Sequence, residues 1–258
     1  MISWQLLNHW ALWVIYGAAV AVFVALFFVT APYGRHGRPG WGLTLPEKWG
    51  WGVMEFPSVA LIVLAFVASL LRYGTPHPVS ILLMLVWETH YIYRTFVFSS
   101  LMREGPKQFP VLIVVFALTF NTLNGFVNGY HLFFEPMQYA IRWLVDPRFL
   151  AGIVVFFVGF SLHVRSDRAL RLLRAGGKSG YFIPSGGMFR YVSCPNYLGE
   201  MVEWAGWALL SWSTAGLAFA VFTFANLFPR ALSNHRWYRE TFGDEYPKER
   251  KAVIPFLV

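Results

Sequence analysis

Long apolar stretches recur along the chain and alternate with short polar segments that contain Pro and Gly. A helix needs about 20 predominantly apolar residues to cross the hydrocarbon core of a bilayer. Seven stretches are candidates, and turn-forming residues mark the connections between them. They are 10–30, 51–71, 79–101, 110–132, 149–163, 197–212 and 214–231. The pattern therefore predicts an all-α integral membrane protein with seven transmembrane helices.

The composition agrees with this pattern and argues against a soluble fold. Only 13% of the residues are charged and 57% are hydrophobic, whereas a soluble domain has roughly 25% charged residues. No basic residue precedes the first apolar stretch, which argues against a cleaved signal peptide. We expect residues 1–258 to form a single polytopic domain in a bacterial inner membrane or the endoplasmic reticulum.

The basic residues predict the orientation of this domain. The connections after helices one, three and five, together with the tail from Arg230, hold 17 of the 21 Lys and Arg residues. Lys and Arg accumulate on the cytoplasmic side of a membrane. We therefore expect the N-terminus outside and the C-terminus in the cytoplasm. This bias also accounts for the net charge of +8, and no basic stripe with interleaved aromatic residues indicates nucleic-acid binding.

Ionisable residues interrupt the apolar stretches in helices two, three and six. They are Glu55, Glu88, His90, Arg94, Glu200 and Glu203. Such residues are costly in lipid, face the interior of a helix bundle and mark functional pathways. Each one alone is equally compatible with an internal ion pair or with a group near a helix end. Their clustering predicts one polar cavity.

Helix four carries a polar stripe beside two glycines. Asn121, Asn124 and Asn128 recur at helical spacing, and Gly125 and Gly129 form a small-xxx-small pair. For the glycines we favour tight helix packing. For the asparagines, interhelical hydrogen bonding and lining of a cavity remain equally good interpretations.

A basic segment follows helix five. Arg165, Arg168 and Arg171 follow one helical face, and a glycine-rich region comes after them. Guanidinium groups bind phosphate in bidentate fashion, although the same segment suits attraction to anionic lipid. No P-loop or Rossmann fingerprint is present. The histidines lack an i, i+4 pair, so we predict no metal site.

Several short blocks, taken in order, resemble the steroid 5α-reductase family over most of the chain. They are residues 55–58, 90–97, 124–125, 166–167 with Arg171, 181–187, 191–193, 196–200 with 203–204, 235–238, 242–247 and 250–256. The chain departs from the pattern where Met54 replaces a frequent Gln and where Asn234 replaces a His found in some members. The Glu55 block and the His90-Tyr91-x-x-Arg94 group are intact.

The resemblance implies NADPH-dependent reduction of the Δ4 double bond of 3-oxo-Δ4-steroids to 5α-dihydro products. Hydride transfer to C5 drives negative charge onto the 3-keto oxygen, so catalysis requires a preorganised donor at that oxygen. The resemblance assigns this role to Tyr91, supported by Glu55. Whether Glu55 acts as a protonated donor or as a carboxylate that orients the phenol is left open.

The resemblance also implies a division of the domain into two sides. Helices one to four form the substrate side, whereas helices four to seven and the cytoplasmic segments 165–195 and 230–258 hold NADPH. The expected cofactor-binding residues are Arg94, Asn124, Asp167, Arg171, Asn196, Glu200, Arg230, Asn234 and Tyr238. Arginines suit the phosphates, and amides or carboxylates suit the ribose and the nicotinamide.

Other interpretations stay open at this stage. They are a methyltransferase of the isoprenylcysteine carboxyl methyltransferase type, an enoyl or polyprenol reductase of the wider family, and a non-enzymatic lipid-binding protein. The expected partners are membrane lipid and an apolar, steroid-like substrate that comes from it. We predict no nucleic-acid partner and no obligate protein partner.

Overall fold

The computed structural model describes residues 3–102, 108–135, 139–175 and 180–258. Within these ranges the chain forms seven α-helices and one small sheet. The helices are α1 (Trp4–Phe28), α2 (Glu47–Tyr73), α3 (Pro78–Ile92), α4 (Val111–Phe133), α5 (Pro147–Leu172), α6 (Pro195–Ser211) and α7 (Thr214–Phe242). The strands are β1 (Thr44–Pro46) and β2 (Gln108–Pro110), which pair antiparallel.

Five of the described helices are long and apolar enough to cross a membrane, as expected of an integral membrane protein. They are α1, α2, α4, α5 and the α7 region. The other two are shorter, because α6 has 17 residues and α3 has 15 before it continues as a π-helical segment, Tyr93–Phe98. Mostly helical membrane architecture is therefore confirmed, whereas the seven-span topology and its orientation stay predictions.

Two helices extend beyond their predicted ends. The fifth apolar stretch stops at His163, but α5 continues to Leu172, and α7 continues from Ala231 to Phe242. Hydropathy detects only the part of a helix that suits lipid, so it misses turns with polar side chains. As a consequence, Arg171 and Asn234 lie on helices, whereas the sequence placed them in a connection and a tail.

Glycines let the backbones of α5 and α6 pack directly against each other. A Cβ atom added to Gly159 would overlap the backbone of Glu203, and one added to Gly199 would overlap the backbone of His163. Small residues let helix backbones approach closely in membranes. The side chains of His163 and Glu203 are therefore held against each other by the two backbones.

The predicted packing role of Gly125 and Gly129 is confirmed. A Cβ atom on Gly129 would lie 2.9 Å from the Ala65 Cβ atom, and one on Gly125 would lie 3.1 Å from the Leu61 Cβ atom. These contacts bring α4 against α2. They fix the height at which polar residues of the two helices meet.

An aromatic core packs where α3, α6 and α7 meet. The Trp87 ring lies 5.4 Å from Trp204, 5.2 Å from Trp207 and 5.6 Å from Phe219, and the Tyr91 ring lies 4.8 Å from Trp87. Trp87, Trp204 and Trp207 are fully buried. This core gives the Tyr91 phenol an apolar wall.

The small sheet departs from the all-α prediction. Each strand has only three residues, too few for a recognisable alternation of polar and apolar positions, and pairing joins segments more than 60 positions apart. Buried Phe109 on β2 packs against Tyr33, with ring centroids 4.7 Å apart. The sheet thereby ties the segment after α1 to the start of α4.

Candidate active site

A cavity of about 640 Å³ lies where the segment after α1 meets the end of α5, the start of α6 and the second half of α7. Four arginines contribute to its wall. The polar lining includes Arg35, Arg171, Arg174, Arg230, Tyr33, Tyr197, Asp167, Asn196 and Asn234. The wall is therefore strongly cationic, with amide, phenol and carboxylate groups between the arginines.

Two of these arginines keep open hydrogen-bond donors. The Nη1 atoms of Arg35 and Arg171 are buried and have no hydrogen-bond partner among the residues that the structure describes. The Arg35 guanidinium lies 4.3 Å above the Tyr238 ring and 5.0 Å above the Trp237 ring. Buried guanidinium donors without acceptors fit a ligand that carries phosphate groups.

Five of the nine expected cofactor-binding residues line this cavity. They are Asp167, Arg171, Asn196, Arg230 and Asn234. The Asn196 amide donates to Asp167 Oδ1 at 3.2 Å. Arg230 and Asn234 donate to the Tyr197 hydroxyl at 3.2 and 3.4 Å. The three helices that bear these residues, α5, α6 and α7, thus present one continuous polar surface.

The other four expected residues lie behind that surface. Tyr238 stacks under Arg35, while Arg94 and Glu200 face each other at 4.0 Å next to Asp167. Asn124 is fully buried and accepts a hydrogen bond from Asn128 at 3.0 Å, and its Nδ2 atom has no partner in the described part of the chain. A cofactor role for Asn124 stays a prediction.

Arg94 connects the cavity to the interior of the bundle. Its Nη2 atom lies 3.3 Å from Glu55 Oε1, and its Nη1 atom lies 3.8 Å from Asp167 Oδ2 and 4.0 Å from Glu200 Oε1. The guanidinium also lies 4.6 Å from the Trp51 ring centroid. Arg94 belongs to the π-helical segment, a distortion found frequently at functional sites. Its single positive charge is thus shared by carboxylates from three helices.

Glu55 is held from two sides. Besides Arg94, the Asn121 amide lies 3.5 Å from Glu55 Oε2 and donates to the Met54 carbonyl at 2.6 Å. Glu55 is buried, with 8% of its surface exposed. Asn121 therefore supports the interpretation of the helix-four asparagines as interhelical hydrogen-bonding residues. It links α4 to Met54 and Glu55 on α2.

Tyr91 lies beside the same carboxyl group. Tyr91 is 2% exposed, and Glu55 and Ser58 of α2 lie near its phenol. Trp87 and Trp204 cover the ring. The structure thus brings together a phenol from α3 and a carboxyl group from α2 in an apolar environment. This arrangement can hold a polar oxygen of an otherwise apolar ligand.

A second buried cluster lies behind Arg94. His90 Nδ1 is 2.8 Å from Glu203 Oε1, and His163 Nδ1 is 3.5 Å from Glu203 Oε2. These atoms fall within 4.8 Å of one another, so the spacing would also accommodate a metal ion. The three residues come from three helices, which is why no sequence spacing indicated them. The 2.8 Å contact has the length of a hydrogen bond.

The segment after α1 adds residues that the sequence did not indicate. His36 Nε2 lies 3.0 Å from Asn234 Oδ1, and Tyr33 stacks against Arg230 at 4.9 Å. Burial raises the pKa of Tyr33 to about 12, although Arg230 opposes the shift. The Tyr33 phenol is therefore a neutral hydrogen-bond donor at neutral pH. In the sequence, these residues could have been found from Arg35, a basic residue within a glycine-containing turn.

The basic segment after helix five divides into two groups. Arg171 and Arg174 line the cavity, whereas Arg165 and Arg168 are exposed and lie outside its lining. Lys178 and the first glycines of the glycine-rich region lie outside the described residues. The phosphate-binding interpretation is therefore supported only for the second half of the arginine series.

Fold and site together describe a helical membrane enzyme with an arginine-lined cavity next to a buried phenol and carboxyl group. A family model described as 3-oxo-5-alpha-steroid 4-dehydrogenase matches residues 107–258. Steroid 5-alpha-reductase DET2 of Gossypium hirsutum is 42% identical over 260 residues, which cover 100% of both chains.

Animal relatives match over nearly the same length. The 3-oxo-5-alpha-steroid 4-dehydrogenase 1 of Bos taurus is 44% identical, with 93% of this chain and 92% of the relative covered. The corresponding protein of Homo sapiens is 42% identical, with 92% and 90% covered. The chain therefore belongs to the steroid 5-alpha-reductase (3-oxo-5-alpha-steroid 4-dehydrogenase) family. It is an oxidoreductase that acts on CH–CH bonds, and the methyltransferase and lipid-binding interpretations are set aside.

Proposed function

We propose that this protein reduces the Δ4 double bond of 3-oxo-Δ4-steroids with hydride from NADPH and releases 5α-dihydro products. The observation that supports this most strongly is the Arg94 bridge. It links Glu55, beside Tyr91, to Asp167 in the wall of the cationic cavity. One cluster of charges thus joins a site for a ketone to a site for a phosphate-bearing cofactor.

At the substrate end, Tyr91 and Glu55 hold the 3-keto oxygen. NADPH, when bound, supplies the hydride that adds to C5. The electron pair of the double bond then moves toward the ketone and produces an enolate, whose oxygen accepts hydrogen bonds from the Tyr91 phenol. Proton uptake at C4 from water completes the reduction. Asn121 and Arg94 keep Glu55 beside the phenol, so the donors need no rearrangement as charge develops.

At the cofactor end, Arg35, Arg171 and Arg230 are suited to the phosphate groups. Arg35 and Arg171 have buried Nη1 atoms that lack partners within the described ranges, which is what a missing anionic acceptor leaves. Asp167 and Asn196 are suited to the hydroxyl and amide groups of the cofactor. Arg94 faces three carboxylates, so we assign it chiefly to the link between the two ends.

The membrane setting suits this substrate. We propose seven spans with the C-terminus in the cytoplasm, so that the cationic cavity faces the cytoplasmic cofactor pool. A rigid apolar substrate dissolves in the bilayer and reaches the aromatic wall around Tyr91 from lipid. The buried rings of Trp87 and Trp204 make the surroundings of the Tyr91 phenol apolar, which strengthens its hydrogen bond to the developing oxyanion.

The decisive experiment uses purified protein with testosterone or progesterone and NADPH deuterated at the transferable hydrogen. We expect 5α-dihydro product with deuterium at C5. A 5β product, or deuterium elsewhere, would contradict the proposal. Absence of steroid reduction combined with NADPH-dependent reduction of an enoyl thioester or a polyprenol derivative would instead indicate another substrate class of the wider family.

A further inference from the structure

His163 is surrounded by carboxylates inside the protein. It is fully buried on α5, and its Nε2 atom lies 3.1 Å from Asp167 Oδ2 and 3.5 Å from Glu200 Oε1. Its Nδ1 atom lies 3.5 Å from Glu203 Oε2. In the described part of the chain, the other residue with three acidic partners is Arg94, the cation on the other side of the same carboxylates.

Carboxylates on both sides favour the charged form of the ring. Three carboxylate oxygens lie 3.1, 3.5 and 3.5 Å from its two nitrogens, although neither nitrogen makes a hydrogen bond within the described part of the chain. Nearby negative charge favours the imidazolium cation over the neutral ring, and an ionised carboxylate cannot donate to an unprotonated nitrogen. His90 faces the other oxygen of Glu203 at 2.8 Å, so this carboxylate also receives a donor from α3.

The backbones leave His163 little freedom. Gly199 on α6 packs against the backbone of His163, and Gly159 on α5 packs against the backbone of Glu203. Any Cβ atom at either glycine would separate the helices. The cation is therefore inserted at a defined height between the two acidic residues of α6.

Charge balance gives this position a consequence for the cavity. Glu55, Asp167, Glu200 and Glu203 lie in one connected cluster, and Arg94 alone cannot compensate four carboxylates. Buried charges without compensation either separate or take up protons. Asp167 lines the cavity, so its orientation and ionisation depend on the cation behind it.

We infer that His163 is a positioning residue for the cofactor: as a buried imidazolium it holds Asp167, in the wall of the cavity, and Glu200, behind that wall, ionised and in place. This inference rests on the proposed use of that cavity for NADPH. His163 itself does not line the cavity. Its influence on the cofactor passes through the carboxylates.

The test is a double-mutant cycle read by binding of NADPH and of NADP⁺, measured by calorimetry on purified protein without substrate. His163→Gln should weaken binding about tenfold, the scale of one charge-assisted hydrogen bond. In a protein that already carries Asp167→Asn and Glu200→Gln, His163→Gln should change binding less than about twofold. The carboxylates that His163 positions are then absent. Equal losses in both backgrounds would mean a general structural role and would overturn the inference.

A matched control and a measurement on the unaltered protein complete the design. His9→Gln, at an exposed histidine on α1, should leave binding unchanged. Nitrogen NMR of protein labelled with ¹⁵N-histidine should show one histidine with both ring nitrogens protonated at neutral pH, absent from the His163→Gln spectrum. If that variant does not fold, individual replacement of the other histidines makes the assignment. A neutral His163 ring would overturn the inference, whereas failure of the unaltered protein to bind either cofactor form would contradict the proposed function instead.

Discussion

The two ends of the site balance their charges in different ways. In the interior, the Arg94 guanidinium lies within ion-pair distance of the Glu55 and Asp167 carboxylates, although Arg94 Nε and Asp167 Oδ2 make no hydrogen bond within the described ranges. Lipid-embedded helices offer no water to solvate such charges. At the cavity, Arg35 and Arg171 are buried but keep open Nη1 donors. The comparison teaches that the interior network is preorganised for charge that develops during reaction, whereas the cavity is organised for charge that a ligand brings.

The largest expected effect is on the interior end. Tyr91→Phe removes one donor to the developing oxyanion, so turnover should fall by about 10² to 10³ while NADPH binding is retained. Steady-state kinetics with testosterone, together with calorimetric binding of NADPH, separates the two quantities. A turnover near that of the parent protein would show that the Tyr91 phenol does not donate to the ketone oxygen. Tyr130→Phe, on α4 outside the cluster, is the matched control and should react normally.

Glu55→Gln tests the same end without removing the side chain. The amide can still donate, but it loses the charge that faces Arg94 at 3.3 Å. If Glu55 orients the phenol as a carboxylate, turnover should fall by about 10² or more. If Glu55 acts as a protonated donor, the amide should retain most of the rate. The rate of this variant therefore decides between the two roles for Glu55.

At the cavity end, substitutions should change the affinity for NADPH more than they change turnover. Arg171→Ala and Arg35→Ala should each raise the apparent KM for NADPH by about tenfold to a hundredfold, because each removes a charged hydrogen bond of about 1.5 to 3 kcal/mol. Turnover at saturating cofactor should change much less. Arg165→Ala, exposed on the same helix outside the lining, provides the control. Equal effects of Arg165→Ala and Arg171→Ala would contradict the division of the arginine series.

A smaller effect concerns pH and the segment after α1. Burial lowers the pKa of His36 below its ordinary value, although Asn234 opposes the shift. The unfolded chain therefore binds a proton more readily, so this contribution to stability is present above the ordinary histidine pKa and is lost as pH falls through the lowered value. Thermal unfolding at pH 5 and 7.5 should show a smaller difference for His36→Gln than for the parent protein. An unchanged difference would exclude His36 as a source of this pH dependence.

The smallest expected effect is that of chelators. Although His90, His163 and Glu203 have a spacing that a metal ion could use, we interpret their contacts as a shared hydrogen-bond network. Dialysis against EDTA should leave both reductase activity and NADPH affinity unchanged, and elemental analysis should find no stoichiometric metal. Loss of activity that zinc restores would reverse this interpretation.

Sequence reasoning succeeded where the physical signal is local or where a motif is complete. Apolar stretches located the helices. The structure brings the Glu55 block and the His90 to Arg94 group together, and the roles that the motifs assign to these residues stay predictions. Sequence reasoning underestimated α5 and α7, because turns beyond the apolar stretch carry no hydropathy signal. It gave little weight to Arg35 and His36, since an irregular segment has no periodicity from which to infer where its side chains lie.

By itself, the sequence determined that the chain is a helical membrane protein, that its interior must accommodate buried charges, and which family pattern those charges follow. Only the tertiary structure decided how the charges pair: Arg94 with three carboxylates, and His163 between Asp167, Glu200 and Glu203. The physical reason is that composition and periodicity act within one helix, whereas ion pairs depend on the distance between helices. In this protein that distance is set by glycine contacts such as Gly199 against His163, and a sequence does not state which backbone a glycine meets.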